Sequence, residues 1–220
     1  MKRCECSAII FDLDGVLVDS TAFVERQWRR WAAGRGLPAE PFLRVCHGRR
    51  AVETIRLAAP DLDAEAEVRA FLPQDDGALP GPCDGALRLL RSLPDGSWGV
   101  ATSSPREAAT GRLRHAGLPI PQVLVCAEDV TRGKPSPDVY LAASAALRVP
   151  ADGCLVIEDA PAGIEAARAA GMAVVGLTTT HRPDQLSVDL STASLANVHL
   201  GRFERDATGR WKLEMLIVEQ

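Results

Sequence analysis

Short apolar runs that stop abruptly at polar residues set the rhythm of the chain. Ser7 to Phe11 is β-branched and aromatic and ends in Asp12-Leu13-Asp14-Gly15, the pattern of a buried parallel strand feeding a loop. The pattern recurs downstream. Trp98 to Ala101 runs into Thr102-Ser103-Ser104-Pro105, Gln122 to Cys126 into Ala127-Glu128-Asp129, Leu155 to Ile157 into Glu158-Asp159, and Ala173 to Leu177 into a threonine-rich loop. Between them lie Ala- and Arg-rich helical segments, Arg106 to His115, Pro137 to Leu147 and Ala162 to Ala170. Strands alternating with helices predict an α/β fold with a doubly wound, Rossmann-like parallel sheet.

From about Thr21 to Pro80 the alternation fails. Apolar residues fall at helical spacing (Phe23, Val24, Trp28, Trp31; Ile55, Leu57, Ala58; Val68, Phe71, Leu72) and no convincing strand interrupts them. The spacing predicts an all-helical insertion, residues 19–81, in a core made of residues 1–18 and 82–220. The hinges fall at Leu17 to Ser20 and at Leu79-Pro80-Gly81-Pro82, where Pro and Gly suit a linker. Near the C-terminal end, Arg202 to Val218 holds two strand-like runs around Asp206-Ala207-Thr208-Gly209, an edge hairpin with a glycine-bearing turn and no assigned chemistry.

At 220 residues the chain suits one large domain or a domain with an insertion, and 46% hydrophobic residues are enough for a globular core. A formal net charge of −4 gives no attraction to nucleic acid or to an anionic membrane. The apolar stretch after the charged start is broken at Asp12 and Asp14, too early for a signal-peptide core, and no run reaches the roughly 18 apolar residues of a membrane helix. These features point to a cytoplasmic protein. No long exposed apolar stripe is visible, so a monomer is expected. Cys4, Cys6, Cys46, Cys83, Cys126 and Cys154 lie scattered without CxxC spacing, which reads as reduced thiols, several of them buried.

Ligands of parallel α/β sheets gather beyond the carboxyl ends of the strands. The residues found there are Asp12 and Asp14, Thr102 and Ser103, and Glu158 with Asp159. If the strands are neighbours, four carboxylates converge. Like charges about 4 Å apart repel by roughly 4 kcal/mol per pair at an effective dielectric near 20, so the cluster needs a cation or a retained proton. A hard divalent ion such as Mg²⁺ suits oxygen ligands of this kind. Lys134, on a loop stiffened by Pro135 and Pro137, offers a positive charge to a substrate phosphate and to a nucleophile. Thr102-Ser103-Ser104-Pro105 supplies hydroxyls and N–H groups where a helix begins, with Pro105 at its first position, a ready anion site. Together these parts describe phosphoryl transfer, in which positioning and charge neutralisation do most of the chemistry.

Phe11-Asp12-Leu13-Asp14-Gly15-Val16-Leu17-Val18-Asp19-Ser20, Thr102-Ser103-Ser104, Gly133-Lys134-Pro135 and Glu158-Asp159-Ala160-Pro161-Ala162-Gly163 resemble the four ordered motifs of the haloacid dehalogenase superfamily, at that family's separations and across nearly the whole chain. Within it, the chain is similar to phosphatases with a small helical cap between the first two motifs. Cys46-His47-Gly48-Arg49-Arg50 and the run Ala160 to Gly171 resemble in particular the sugar-, hexitol- and glycerol-phosphate phosphatases. The resemblance implies Mg²⁺-dependent hydrolysis of small phosphate monoesters. Asp12 is then the nucleophile that becomes an aspartyl-phosphate, and Asp14 the acid and base, protonated at the start. Asp12, the backbone carbonyl of Asp14 and Asp159 would hold Mg²⁺ with Glu158 in support, and Thr102 and Lys134, aided by Ser103 and Ser104, would grip the phosphoryl oxygens. Substrate choice would lie in the cap with His47, Arg49 and Arg50. Asp19 reads as a hinge or capping residue.

The nearest rival is a phosphomutase of the kind that isomerises glucose phosphates. In those enzymes a histidine stands where this chain has Val24, which argues against mutase activity. A dehalogenase would lack Asp14, Glu158 and Asp159. A phosphate-accepting receiver is shorter, has no helical insertion, and stops after one phosphate.

Overall fold

The computed structural model describes residues 1–70 and 79–219. Its centre is a six-stranded parallel sheet. β1 (Lys2–Cys6) lies outside it, and β2 (Ala8–Phe11), β3 (Trp98–Ala101), β4 (Leu124–Val125), β5 (Cys154–Glu158), β6 (Ala173–Leu177) and β7 (Ser191–Thr192) build it in the order β4-β3-β2-β5-β6-β7. The order reverses at β2, which pairs with both β3 and β5, so the crevice above β2 is the topological switch point.

Alternation along the strands divides the core. Ile9 and Phe11 face one side with Val100, Leu113 and Ile157, and Ala8 and Ile10 face the other with Ala101, Tyr140 and Val156. Helices cover both sides: α5 (Ala86–Ser92), α6 (Arg106–His115), α7 (Asp138–Leu147), α8 (Pro161–Ala169) and α9 (Pro183–Leu186), after α1 to α4 of the preceding segment. All four residues of β2 are buried, which explains its unbroken apolar run.

That preceding segment is helical: α1 (Thr21–Ala33), α2 (Glu40–Leu43), α3 (Ala51–Ala58) and α4 (Ala64–Ala70). It has a core of its own. Trp28 stacks on Phe42 with ring centroids 5.6 Å apart, Trp31 meets both edge-on, and Ile55 closes the cluster. Val24 packs against this cluster; Phe71 and Leu72 lie outside the described residues. The two chain crossings that lead into and out of the segment run side by side. Asp19 N–H donates to the Gly81 carbonyl, and Cys83 N–H to the Leu17 carbonyl, each at 2.9 Å.

Two features differ from the sequence expectation. The hairpin is present as β8 (Val198–Arg205) and β9 (Trp211–Ile217), but it is not an edge of the main sheet. It joins β1 in a second, antiparallel sheet of order β1-β9-β8, and Leu213, Met215 and Ile217 pack into the main core. The strand expected over Gln122 to Cys126 is only Leu124–Val125. All six cysteines are free, and burial raises their thiols, those of Cys6, Cys46 and Cys83 to about 12. No helix among the described residues is long and apolar enough to cross a membrane.

Candidate active site

Register brings the candidate residues level. Phe11 stands beside Val100 on β3 and Ile157 on β5, so Asp12, Thr102 and Glu158 emerge together at the carboxyl end of the sheet. Asp12 N–H donates to the Ile157 carbonyl at 3.0 Å, and Thr102 N–H to the Val125 carbonyl at 2.9 Å. Pro105 is the residue before α6 rather than its first, and Thr102 Oγ1 accepts from Ser104 N–H at 3.1 Å.

Lys134 enters from the loop before α7 and is completely buried. Its Nζ donates to Asp12 Oδ1 at 2.6 Å, Glu158 Oε1 at 2.7 Å and the Ala101 carbonyl at 3.3 Å, which uses all three donors. Burial alone would drive the proton off. Asp12 and Glu158 outweigh it and hold the ammonium charged, above the ordinary lysine value. Glu158 is engaged on both oxygens. Tyr140 Oη also donates to Oε1 at 2.9 Å, and the N–H groups of Asp159 and Ala160 donate to Oε2 at 2.8 and 2.9 Å. Only glycine fits at 163, because a Cβ there would lie 1.5 Å from Glu158 Oε1.

Carboxylate oxygens of Asp12, Glu158 and Asp159 lie within 4.8 Å of one another, all buried. One ammonium does not neutralise three carboxylates. Burial lifts the Asp12 carboxyl to about 7, against the pull of Lys134, and burial with the neighbouring Glu158 and Asp12 lifts Asp159 well above the carboxylate range. Asp159 Oδ1 is buried with no hydrogen-bond partner among the described residues. A partnerless buried carboxylate oxygen beside two further carboxylates fits a hard divalent cation. Gly15, at φ 79°, lies against the same carboxylate: a Cβ would fall 2.1 Å from Asp159 Oδ2. Thr179 and Thr180, after β6, brace the Gly15 and Asp159 carbonyls, each at 2.6 Å.

Asp14 is held apart from this cluster, by a different set of donors. Ser20 Oγ donates to Oδ1 at 2.6 Å and Ser104 Oγ to Oδ2 at 2.8 Å, while Arg112 Nη1 donates to both, at 2.6 and 2.8 Å. Burial raises the carboxyl, but the Arg112 charge and these hydrogen bonds prevail and leave it below its ordinary value. In this arrangement Asp14 is ionised, the opposite of the protonated start that the sequence resemblance implies.

The helical segment meets the sheet at residues 47–53. Ser103 Oγ donates to the Gly48 carbonyl at 2.8 Å. His47 lies 3.6 Å from Glu25 and edge-on to His181, ring centroids 6.1 Å apart; burial and His181 lower its basicity. Arg50, expected to face substrate, instead pairs with Glu53 and donates to the Val130 and Thr131 carbonyls at 3.3 and 3.1 Å. Among the described residues no hydrogen bond or ion pair engages the half-buried side chain of Arg49. Arg112, Tyr140, Ser20 and Glu53 were not legible as site residues. No motif contains Arg112, Tyr140 or Glu53, and Ser20 reads from the sequence only as part of the hinge, whereas at the N-cap of α1 its hydroxyl turns to Asp14.

Fold and site together define a hydrolase of a known family. Residues 6–171 match the model of the haloacid dehalogenase-like hydrolases, and the chain belongs to that family. It is 38% identical over 205 residues to hexitol phosphatase A of Escherichia coli (strain K12), covering 88% of this chain and 93% of that protein. It is also 38% identical over 208 residues to validoxylamine A 7'-phosphate phosphatase of Streptomyces hygroscopicus subsp. limoneus, covering 87% and 97%. A solved structure of a hydrolase from Pseudomonas syringae is similar with a TM-score of 0.77 at 28% identity, over 87% of this chain and 94% of that one. Both named relatives are phosphatases.

Proposed function

We propose that the chain hydrolyses small phosphate monoesters (sugar, polyol or glycerol phosphates) with Mg²⁺, through an aspartyl-phosphate on Asp12. The observation that carries this reading is the buried group of Asp12, Lys134, Glu158 and Asp159, with a lysine on the nucleophile and one carboxylate oxygen lacking a partner among the described residues. Asp12 attacks phosphorus in line, and its new O–P bond forms as the bond to the alcohol oxygen breaks. Lys134 and Thr102 hold the transferring oxygens, aided by Ser103 and Ser104. Asp14 gives a proton to the leaving alcohol and takes one from the water that opens the aspartyl-phosphate. The ionised, fully hydrogen-bonded Asp14 described above corresponds to the second of these roles.

Asp12, Asp159 and the backbone carbonyl of Asp14 would hold Mg²⁺. Glu158, whose oxygens are occupied by Lys134, Tyr140 and two amides, supports the site by orienting Lys134 and the Asp159 backbone. When bound, the ion neutralises clustered negative charge and withdraws electron density from the phosphoryl group.

Residues 19–81 serve as a cap over this site, with substrate choice in residues 47–50. Arg49, whose side chain has no hydrogen bond or ion pair among the described residues, is the arginine assigned to the substrate; Arg50 docks the cap on the core. A hydroxyl-rich alcohol suits the polar set of neutral His47 and Arg49, and the similarity to hexitol phosphatase A supports a polyol or sugar phosphate. The test is phosphate release from hexose, hexitol, pentose, glycerol and glycolate phosphates, with and without Mg²⁺, beside Asp12→Asn. Metal-dependent turnover lost in the variant supports the reading; normal turnover by Asp12→Asn refutes the mechanism.

A further inference from the structure

Asp14 moves the protons in the proposed reaction, yet its orientation is set largely from outside its own motif. Arg112 lies in the last turn of α6, 98 positions away, where its neighbours Arg114 and His115 are exposed. Basic residues at such a position ordinarily serve the helix dipole. Arg112 does something else. Helical side chains lean toward the N-terminus, so a long one in the last turn reaches back along the helix. A single nitrogen, Nη1, contacts both oxygens of Asp14 and, at 2.9 Å, the hydroxyl of Ser104, eight residues earlier. Ser104 in turn donates to Asp14, so lysine-like point contact and hydroxyl form a closed triangle on the carboxylate. The guanidinium is seated from the other side by buried Phe23 of α1, whose ring centroid lies 5.5 Å from Cζ.

A carboxylate at the end of a short side chain otherwise rotates freely about its last bond. Here donors on both oxygens leave it one orientation. We propose that Arg112 is a positioning residue of the reaction: through Nη1 and Ser104 it holds the Asp14 carboxylate in one orientation for proton transfer, with Phe23 of the helical segment seating it. Because Ser20 and Phe23 belong to the entry of that segment, the orientation of the acid–base group is tied to where the segment sits.

The inference rests on the phosphatase reading, and the experiment separates the two. Aspartyl-phosphate formed from p-nitrophenyl phosphate with Mg²⁺ is followed by rapid quench in single turnovers of the wild type, Arg112→Met and Arg112→Lys. p-Nitrophenolate leaves without a proton, so formation of the aspartyl-phosphate does not call on Asp14 as an acid, whereas its hydrolysis calls on the Asp14 carboxylate as the base. Well-placed proton transfer contributes about 10²–10⁴-fold. Arg112→Met should therefore slow decay of the aspartyl-phosphate by at least about 10²-fold, and its formation by less than about threefold. Arg112→Lys, with three donors on a shorter stem, should recover about tenfold of the loss. An equal fall in both steps, from damaged folding, overturns the positioning role, as does unchanged decay. A wild type that forms no aspartyl-phosphate overturns the phosphatase reading along with it.

Discussion

Glu53, on α3, accepts a hydrogen bond at 2.8 Å from the backbone N–H of Gly133, the residue immediately before Lys134. The same Oε1 pairs with Arg50, whose guanidinium also reaches the Val130 and Thr131 carbonyls. The contact is tight enough that a Cβ at 133 would lie 2.4 Å from Glu53 Oε2. The loop that carries Lys134 is thus clasped by the helical segment, 80 positions earlier in the chain.

Glu53→Ala leaves the Gly133 amide and the Arg50 guanidinium without their shared partner. Lost hydrogen bonds to a charged group cost about 1.5–3 kcal/mol, so kcat/KM for the best ester should fall by roughly 10–100-fold. Arg50→Ala should cost about as much, and the double variant little more than either, because all three contacts act as one unit. Steady-state kinetics on the four proteins check this; strictly additive losses would mean that the clasp is not one unit.

Tyr140→Phe removes a single hydroxyl from Glu158 and leaves the ring in place beneath Lys134, whose Nζ lies 4.9 Å from its centroid. Glu158 keeps three donors, so it stays satisfied. The expected loss of stability is about 1–2 kcal/mol in urea unfolding, with an unchanged m-value. A loss above about 4 kcal/mol would place more of the fold on this hydroxyl than one hydrogen bond supplies.

If the acidic cluster holds Mg²⁺ as proposed, metal and proton compete for it. Asp12 is raised to about 7 and Asp159 is raised further, so between the ordinary carboxylate value near 4 and those folded values the native state binds more protons than the unfolded one. That stabilisation is complete at low pH and is lost as pH rises through the folded values. In EDTA these two carboxyls should therefore lower the melting temperature as pH rises from about 5 to about 8, opposed below about pH 6.5 by the lowered histidines His47 and His181 and below about pH 4 by lowered carboxyls such as Asp14, so the fall is clearest above about pH 6.5. Added Mg²⁺ should raise it most at the alkaline end, where no proton has to be displaced. Thermal melts across this range, repeated with Asp159→Asn, test it; a metal response that does not grow with pH contradicts the assignment.

The parts of the fold that were legible are those whose residues have one environment. β2, β3, β5 and β6 are short buried runs that end in chemistry-bearing residues, and their neighbours in the sheet follow from parallel α/β rules. β1 was not legible, because Lys2-Arg3-Cys4-Glu5-Cys6 carries its inward positions on cysteines and its outer ones on charges. β7 has two residues and no pattern at all. In the site, Asp12, Lys134, Glu158 and Asp159 come together as their places after successive strands imply. Arg50 looked like a solvated or substrate-facing arginine because its partners Val130 and Thr131 are backbone atoms 80 and 81 positions away. Arg112 and Tyr140 act over similar gaps, and no periodicity records a tertiary approach.

The pairing of β1 with β9 sets a timetable for synthesis. Lys2 lies beside Ile217 and Cys6 beside Leu213, so β1 must wait for a strand made after every other strand of both sheets. Only one residue separates β1 from β2, the strand that delivers Asp12. Contacts of such high sequence separation form late and slowly. A nascent chain can close the parallel sheet from β2 to β6 while still on the ribosome, but the flank of the strand that carries Asp12 stays uncovered until the β8–β9 hairpin emerges. Chains stalled before Trp211 should accordingly be the ones most readily recognised as unfinished.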